Sequence, residues 1–203
     1  SAMLESVLRA AGLRTALYTS PHLIRFNERI RVAGQPIPDE DLLRLLDEVE
    51  RADQAQAAEP GGRLGTFFEL TTVVAFKWFL EQGVQVAVLE TGMGGRLDST
   101  NVVTPLLSVI TEIGLEHQAF LGDTLAQVAG EKAGIVKPGR PVVTGPQRPA
   151  VARVIEEKAR AAQAPLLRAD ERISVRRLSQ DLDGQTLAIE TGAGAWQPLR
   201  LPL

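Results

Sequence analysis

The residues able to do chemistry gather in two short stretches of this 203-residue chain. In the first, Val84-Gln85-Val86-Ala87-Val88-Leu89 reads as a buried strand that delivers Glu90 straight into Thr91-Gly92-Met93-Gly94-Gly95-Arg96-Leu97-Asp98. An acid at the carboxyl end of a strand lies where open α/β sheets bind their ligands. Gly92, Gly94 and Gly95 let the backbone come close to a bound group such as a nucleotide, and Arg96 and Asp98 supply charge within one turn. The spacing is not Gly-x-Gly-x-x-Gly, so the glycines alone fit a tight strand-to-loop connection equally well.

The second stretch repeats this logic. Leu106-Leu107-Ser108-Val109-Ile110-Thr111 reads as another apolar strand, adjacent and parallel to the first, and it ends in Glu112, Glu116 and His117. Asp123 or Thr124 is a suitable N-cap for a helix that runs through Glu131-Lys132 to Gly134, and Lys137-Pro138-Gly139 is a clear stop. Glu90 and His117 are therefore both expected just past strand ends, with Lys132 on the helix that follows. Taken singly, each has an ordinary reading. A lone loop histidine is usually a surface hydrogen-bonding group, and a lysine near a helix carboxyl end is favoured by the helix dipole. Nothing here has the paired-histidine spacing of a zinc site.

The elements that must position these residues alternate between strands and helices over the first two-thirds of the chain. Residues 3–11 have helical spacing and stop at Gly12, and Thr15–Tyr18 reads as a strand. Pro38-Asp39-Glu40-Asp41 opens a helix to about Arg51, followed by a polar loop over 52–64 and a helix from Thr66 toward Leu80. Strands near 141–144 and 166–167 flank a helix over 149–162. This order predicts an α/β fold, a mainly parallel sheet flanked by helices. From Ile173 short alternating segments separated by Asp181-Leu182-Asp183-Gly184 and Gly192-Ala193-Gly194 predict a C-terminal antiparallel β extension.

Five ordered segments carry a resemblance. They are Tyr18-Thr19-Ser20-Pro21-His22-Leu23 with Phe26-Asn27-Glu28-Arg29-Ile30, Thr66-Phe67-Phe68-Glu69-Leu70-Thr71-Thr72, Glu90 through Asn101, Glu116 through Thr124, and Glu131-Lys132-Ala133-Gly134-Ile135. Together they resemble folylpolyglutamate synthase, whose bifunctional form is also a dihydrofolate synthase, in the Mur ligase superfamily. Glu116 departs from the pattern, which usually has Asp before the histidine. The resemblance implies ATP-dependent addition of L-glutamate to a folate, or to dihydropteroate, through an acyl phosphate. It implies two Mg²⁺ sites, with Ser20, Glu90 and His117 as ligands, His117 and a carbamylated Lys132 serving the second. Carbamylation turns a cation into an anion and needs a neutral amine. The resemblance further places Thr66, Phe68, Asp98, Ser99, Phe26 and Arg96 at the pterin or folate, and Gly92, Gly94, Gly95 and Asn101 at the nucleotide. Read without it, Ser20 is a turn residue before Pro21, at least one of Phe67 and Phe68 belongs to the core, and Asp123 and Thr124 are caps.

The resemblance also implies a domain plan. Residues 1–168 form the ATP- and folate-binding core and 169–203 a β extension of the same domain. The phosphate-binding loop and the glutamate-binding C-terminal domain lie outside the sequence, so the chain is expected to be an internal piece of a longer ligase, inactive by itself. The partners it implies are small molecules, for a cytoplasmic monomer. Composition agrees without adding to this: 44% hydrophobic residues suffice for a sizeable core, and no apolar run approaches the ~20 residues of a membrane span. There is no cysteine for a disulfide or a thiolate metal site. A net charge of −3 gives no reason to expect nucleic acid, and Arg172, Arg176 and Arg177 read as a solvated strand face. Two rivals remain: another Mur-type ligase, which the Thr66–Glu69 and Tyr18–His22 matches count against, and a non-catalytic binding module on the same fold.

Overall fold

Four consecutive residues with no polar face, Thr15–Tyr18, form β1, and all four are buried. In the computed structural model, which describes residues 1–202, β1 is the centre of the first of two units, Ser1–Val103. It follows helix α1 (Ala2–Ala10), whose chain reversal uses Gly12 at φ +87°. β1 pairs in parallel with β4 (Val86–Leu89), Tyr18 lying opposite Leu89, and antiparallel with β2 (Ile30–Val32), which carries β3 (Gln35–Pro36) at the edge. The order is β3-β2-β1-β4. Helices α2 (Asp39–Ala57) and α3 (Phe67–Glu81) add Leu45, Val49, Val74, Ala75, Trp78 and Phe79 to one core cluster with Ala16, Tyr18 and Ile30.

The second unit begins at Thr104. Its parallel sheet has the order β5-β6-β7, from Ser108–Ile110, Val142–Thr144 and Leu166–Arg168. Helices α4 (Gln118–Leu121), α5 (Leu125–Lys132) and α6 (Pro149–Ala161) accompany it, and Ile110, Val128, Val142, Val151 and Ile155 make its core. Strands β8 (Ile173–Asp181), β9 (Gly184–Thr191) and β10 (Gly194–Pro202) form the antiparallel sheet expected of the C-terminal segment. No described helix is long and apolar enough to cross a membrane.

Three details differ from the sequence reading. Strands β4 and β5, expected to be neighbours, belong to different sheets: β4 pairs with β1, and β5 with β6. The two short antiparallel strands β2 and β3 have no counterpart in the sequence reading, because three residues and a Gln-Pro pair carry no measurable alternation. Helix α2 continues six residues past Arg51, through Ala52-Asp53-Gln54-Ala55-Gln56-Ala57. Alanine and glutamine are strong helix formers but give no apolar period, so the pattern fades before the helix does.

Helix α3 starts as the sequence says it should. The Thr66 hydroxyl accepts the Glu69 N–H at 3.3 Å, and the Glu69 carboxylate accepts the Thr66 N–H at 2.7 Å, a reciprocal capping box. Arg63 adds a second hold on Glu69 at 2.6 Å. The Arg63 guanidinium, and after it the Thr66 N–H, bring the Glu69 carboxyl from its ordinary 4.5 down to about 2. The folded state therefore binds fewer protons than the unfolded chain between those values, so this stabilisation is complete above about pH 4.5 and is lost as pH falls toward 2. The side chain is more than a third exposed, and screening keeps the effect small. Glu69→Gln is expected to flatten the acid limb of the stability curve while leaving its neutral plateau lower only by the small worth of the exposed Arg63 pair, since the glutamine oxygen can still accept the Thr66 N–H; an unchanged acid slope in urea titrations would reject this.

Candidate active site

The parallel pairing of β1 with β4 brings two of the sequence-derived residues to one place. Tyr18 and Leu89 are register partners, and the Glu90 N–H donates to the Tyr18 carbonyl at 2.9 Å, so Glu90 and the Thr19-Ser20 pair leave the sheet side by side at its carboxyl end. The Thr19 N–H donates in turn to the Arg29 carbonyl at 3.0 Å, which fixes the start of the loop. Ser20 and Glu90 are both half-buried. Farther along the loop, the Glu28 carboxylate accepts the N–H groups of Leu23, Ile24 and Arg25 at 3.0, 3.1 and 2.8 Å. Those bonds, Arg25 foremost, hold its carboxyl below the usual range.

The glycine-rich turn after Glu90 is closed by Asp98. One carboxylate oxygen accepts the N–H groups of Gly92 and Met93 at 3.0 and 2.9 Å, and the other accepts the N–H and hydroxyl of Thr100 at 3.0 and 2.5 Å. These four bonds use the four lone-pair directions of the group. The Asn101 amide donates to the Arg96 carbonyl at 3.1 Å and braces the same turn. Gly94, buried, takes φ +67°, a conformation other residues adopt only with strain. At Gly92 the close neighbour is a ring: a β-carbon there would lie within 2.9 Å of three atoms of Phe68.

Phe68 is half-buried on α3 and stacks on Tyr18, with ring centroids 5.8 Å apart. Phe67, next to it, is 63% exposed and meets Phe26 edge-on at 6.0 Å. Of the two, Phe68 joins the core and Phe67 faces out. Arg29 lies over both Phe26 and Phe67, 5.5 and 5.8 Å from their centroids, and its Nε donates to His22 Nδ1 at 2.9 Å. Behind the rings runs a set of hydroxyls that the sequence did not single out. Tyr18 OH lies 3.1 Å from Thr71 Oγ1 and 3.2 Å from Thr72 Oγ1, and Thr72 Oγ1 lies 3.1 Å from Ser99 Oγ. Two adjacent threonines inside an apolar helix, facing a tyrosine at the end of a buried strand, were the available signal. Tyr18 is fully buried, so Tyr18→Phe is expected to cost about 1–2 kcal/mol through the partners left behind. The midpoint of urea unfolding measures this, and no change would mean that the contacts contribute nothing net.

In the second unit, Lys132, at the end of α5, reaches Glu116 with 2.5 Å between Nζ and the carboxylate. The lysine side chain is 24% exposed. The Lys132 ammonium, and to a smaller extent His117, hold the Glu116 carboxyl below its ordinary value against the opposing effect of burial. His117 is exposed, in the left-handed region at φ 45°, where it precedes the single turn α4. Thr124 rather than Asp123 caps α5, paired with Gln127. Among the described residues no three His, Cys, Asp or Glu side chains gather into a metal-binding group.

Similarity to known proteins decides among the readings. The chain is 41% identical over 197 residues to folylpolyglutamate synthase of Lacticaseibacillus casei, covering 97% of this chain and 46% of that protein. It is 46% identical over 169 residues to the dihydrofolate synthase/folylpolyglutamate synthase of Bacillus subtilis, covering 81% of this chain and 38% of that one. A solved folylpolyglutamate synthase–AMPPCP–folate complex superposes with a TM-score of 0.90 at 41% identity, over 98% of this chain and 49% of the solved one. This chain belongs to the folylpolyglutamate synthase/dihydrofolate synthase family. It spans less than half the length of these two relatives. No family model matches it.

Within this family's frame, Ser20, Glu90, Phe26, Thr66, Phe68, Asp98 and Ser99, with Gly92, Gly94, Gly95, Arg96 and Asn101, all fall in the first unit. His117 and Lys132 fall in the second. Several of them have structural duties in the fold: Thr66 caps α3, Asp98 ties the glycine turn, Asn101 braces it, and Phe68 packs on Tyr18.

Proposed function

We propose that the protein to which this chain belongs is an ATP-dependent ligase that adds L-glutamate to a folate, and to dihydropteroate if it is bifunctional. The observation that carries the reading is the likeness, at a TM-score of 0.90, to a folylpolyglutamate synthase complexed with AMPPCP and folate, combined with the convergence of Ser20 and Glu90 at one sheet end. A folate carboxylate oxygen attacks the γ-phosphorus of ATP and ADP leaves. The glutamate amine then attacks the acyl carbon of the resulting acyl phosphate, losing a proton as phosphate departs. Such chemistry depends mainly on positioning and on neutralising phosphate charge.

The residues suit Mg²⁺. It accepts one or two protein oxygens and fills the rest of its shell with water and phosphate, and it supplies charge neutralisation on the phosphates when bound. Glu90 and Ser20 would hold one ion, needing no three-residue cluster. For a second, His117 and Lys132 are the candidates, with Lys132 carbamylated. The ammonium paired to Glu116 offers no ligand, whereas a carbamate would. In this reading Gly92, Gly94, Gly95 and Asn101 shape the wall beside the nucleotide. Thr66, Phe68, Ser99, Asp98, Phe26 and Arg96 line the pterin side, and the enzyme works as a cytoplasmic monomer.

The test is ADP release by the whole protein with ATP, Mg²⁺ and glutamate. The reading expects release that depends on tetrahydrofolate or dihydropteroate. Release with neither moves the assignment to another Mur-type substrate. Intact mass after incubation with isotopically labelled bicarbonate tests the modification separately: the label is expected on the parent protein and absent from Lys132→Ala.

A further inference from the structure

The chain that carries Glu116 and His117 leaves the parallel sheet of the second unit at the carboxyl end of β5, and one side chain extends the sheet past that end. The ladder between β5 and β6 stops at Ile110 opposite Thr144. Just beyond Thr144, the Gln147 side-chain amide donates to the Thr111 carbonyl at 2.8 Å and accepts the Ile113 N–H at 3.1 Å. Those are the two bonds that a parallel strand residue facing Glu112 would make through its backbone. The orientation of the amide is fixed by a third bond, from its nitrogen to Thr144 Oγ1 at 3.0 Å. The Thr144 proton is committed to the Gly145 carbonyl at 3.1 Å, so the reverse orientation would set the amide oxygen against two acceptors. Ile113 is 3% exposed and belongs to the core of this unit. Farther along the same loop, His117 is exposed and holds φ 45°, a conformation that is costly for a residue other than glycine and persists where the surroundings over-determine it. The Lys132–Glu116 pair, at 2.5 Å, fixes the residue before His117, and Gln147 fixes the approach to both.

We infer that Gln147 is a positioning residue for the second ion site: by continuing the sheet through Thr111 and Ile113 it sets where His117 and Glu116 stand relative to Lys132. The inference rests on the proposed roles of His117 and Lys132. Gln147 acts by removing slack between the end of β5 and the left-handed His117. A side chain without the amide leaves the Thr111 carbonyl and the Ile113 N–H to find water, which draws the chain off the line of β5.

The test uses the whole protein and two substitutions. Gln147→Met keeps the length of the side chain and removes all three bonds, whereas Gln147→Glu keeps the acceptor for Ile113 but faces the Thr111 carbonyl with a carboxylate oxygen. Amide hydrogen exchange without ATP or Mg²⁺ is expected to show the protection of Ile113 falling about tenfold in Gln147→Met, the worth of one neutral hydrogen bond, with the core amides of Val128 and Val142 unchanged. The Mg²⁺ concentration that half-saturates folate-dependent ADP release should rise about ten- to a hundredfold in both variants, with KM for tetrahydrofolate little changed. General destabilisation would instead lower protection in the core and leave the Mg²⁺ midpoint where it was. Gln147→Glu carries the test should the methionine variant fail to fold. Unchanged Mg²⁺ dependence in a folded variant, or protection lost from loop and core together, overturns this inference alone. Absence of folate-dependent release by the parent protein overturns it together with the proposed function.

Discussion

Glu90→Gln is expected to lower folate-dependent ADP release by the whole protein about a hundredfold or more. Glutamine preserves the length of the side chain and the bond from the residue 90 N–H to the Tyr18 carbonyl, so the strand ends stay in place. What is lost is the anionic oxygen that a hard divalent cation requires. Changes one shell farther from a metal already cost about ten- to a hundredfold, and under the proposed function this change is at a ligand. Raising Mg²⁺ should recover part of the loss, because the remaining Ser20 and phosphate oxygens still bind weakly. Activity within a few-fold of the parent, at low Mg²⁺, would remove Glu90 from the metal site.

Gly92→Ala is expected to give the largest loss of stability among single substitutions in the turn, about 1–3 kcal/mol, the range for overpacking a filled site. The added methyl would meet three atoms of the Phe68 ring within 2.9 Å, and that ring is backed by Tyr18, which is fully buried. The glycine turn cannot retreat without breaking the two bonds from Gly92 and Met93 to Asp98. Chemical denaturation measures the loss. The double variant Gly92→Ala with Phe68→Leu should lose less than the sum of the two singles, because the smaller side chain relieves the contact. Strict additivity would show that the two positions do not press on one another.

How much of this was legible in the sequence follows from the physical range of each signal. The strand ending at Leu89 and the helix that opens at Thr66 are local features, carried by apolar patterning, and both hold. The antiparallel extension was legible from its two turns. Strand partners are long-range: nothing in the residues of β4 says that it pairs with β1, whose side chains lie about seventy positions earlier. The candidate residues came from motif order, which says which residues matter but not what else holds them. Asp98 illustrates the gap, since its four bonds to its own turn appear only once Gly92 and Thr100 are folded around it. The hydroxyl line from Tyr18 through Thr72 to Ser99 was invisible for the same reason. It joins a strand, a helix and a turn, and no spacing within one segment encodes it.

The measurement that bears most directly on the central claim is the fate of isotopically labelled glutamate incubated with the whole protein, ATP, Mg²⁺ and tetrahydrofolate. The account predicts a folate product heavier by one labelled glutamyl residue, formed only when ATP is present and matched by an equal amount of ADP. Unincorporated glutamate, or ADP release that proceeds unchanged without the folate, would contradict it.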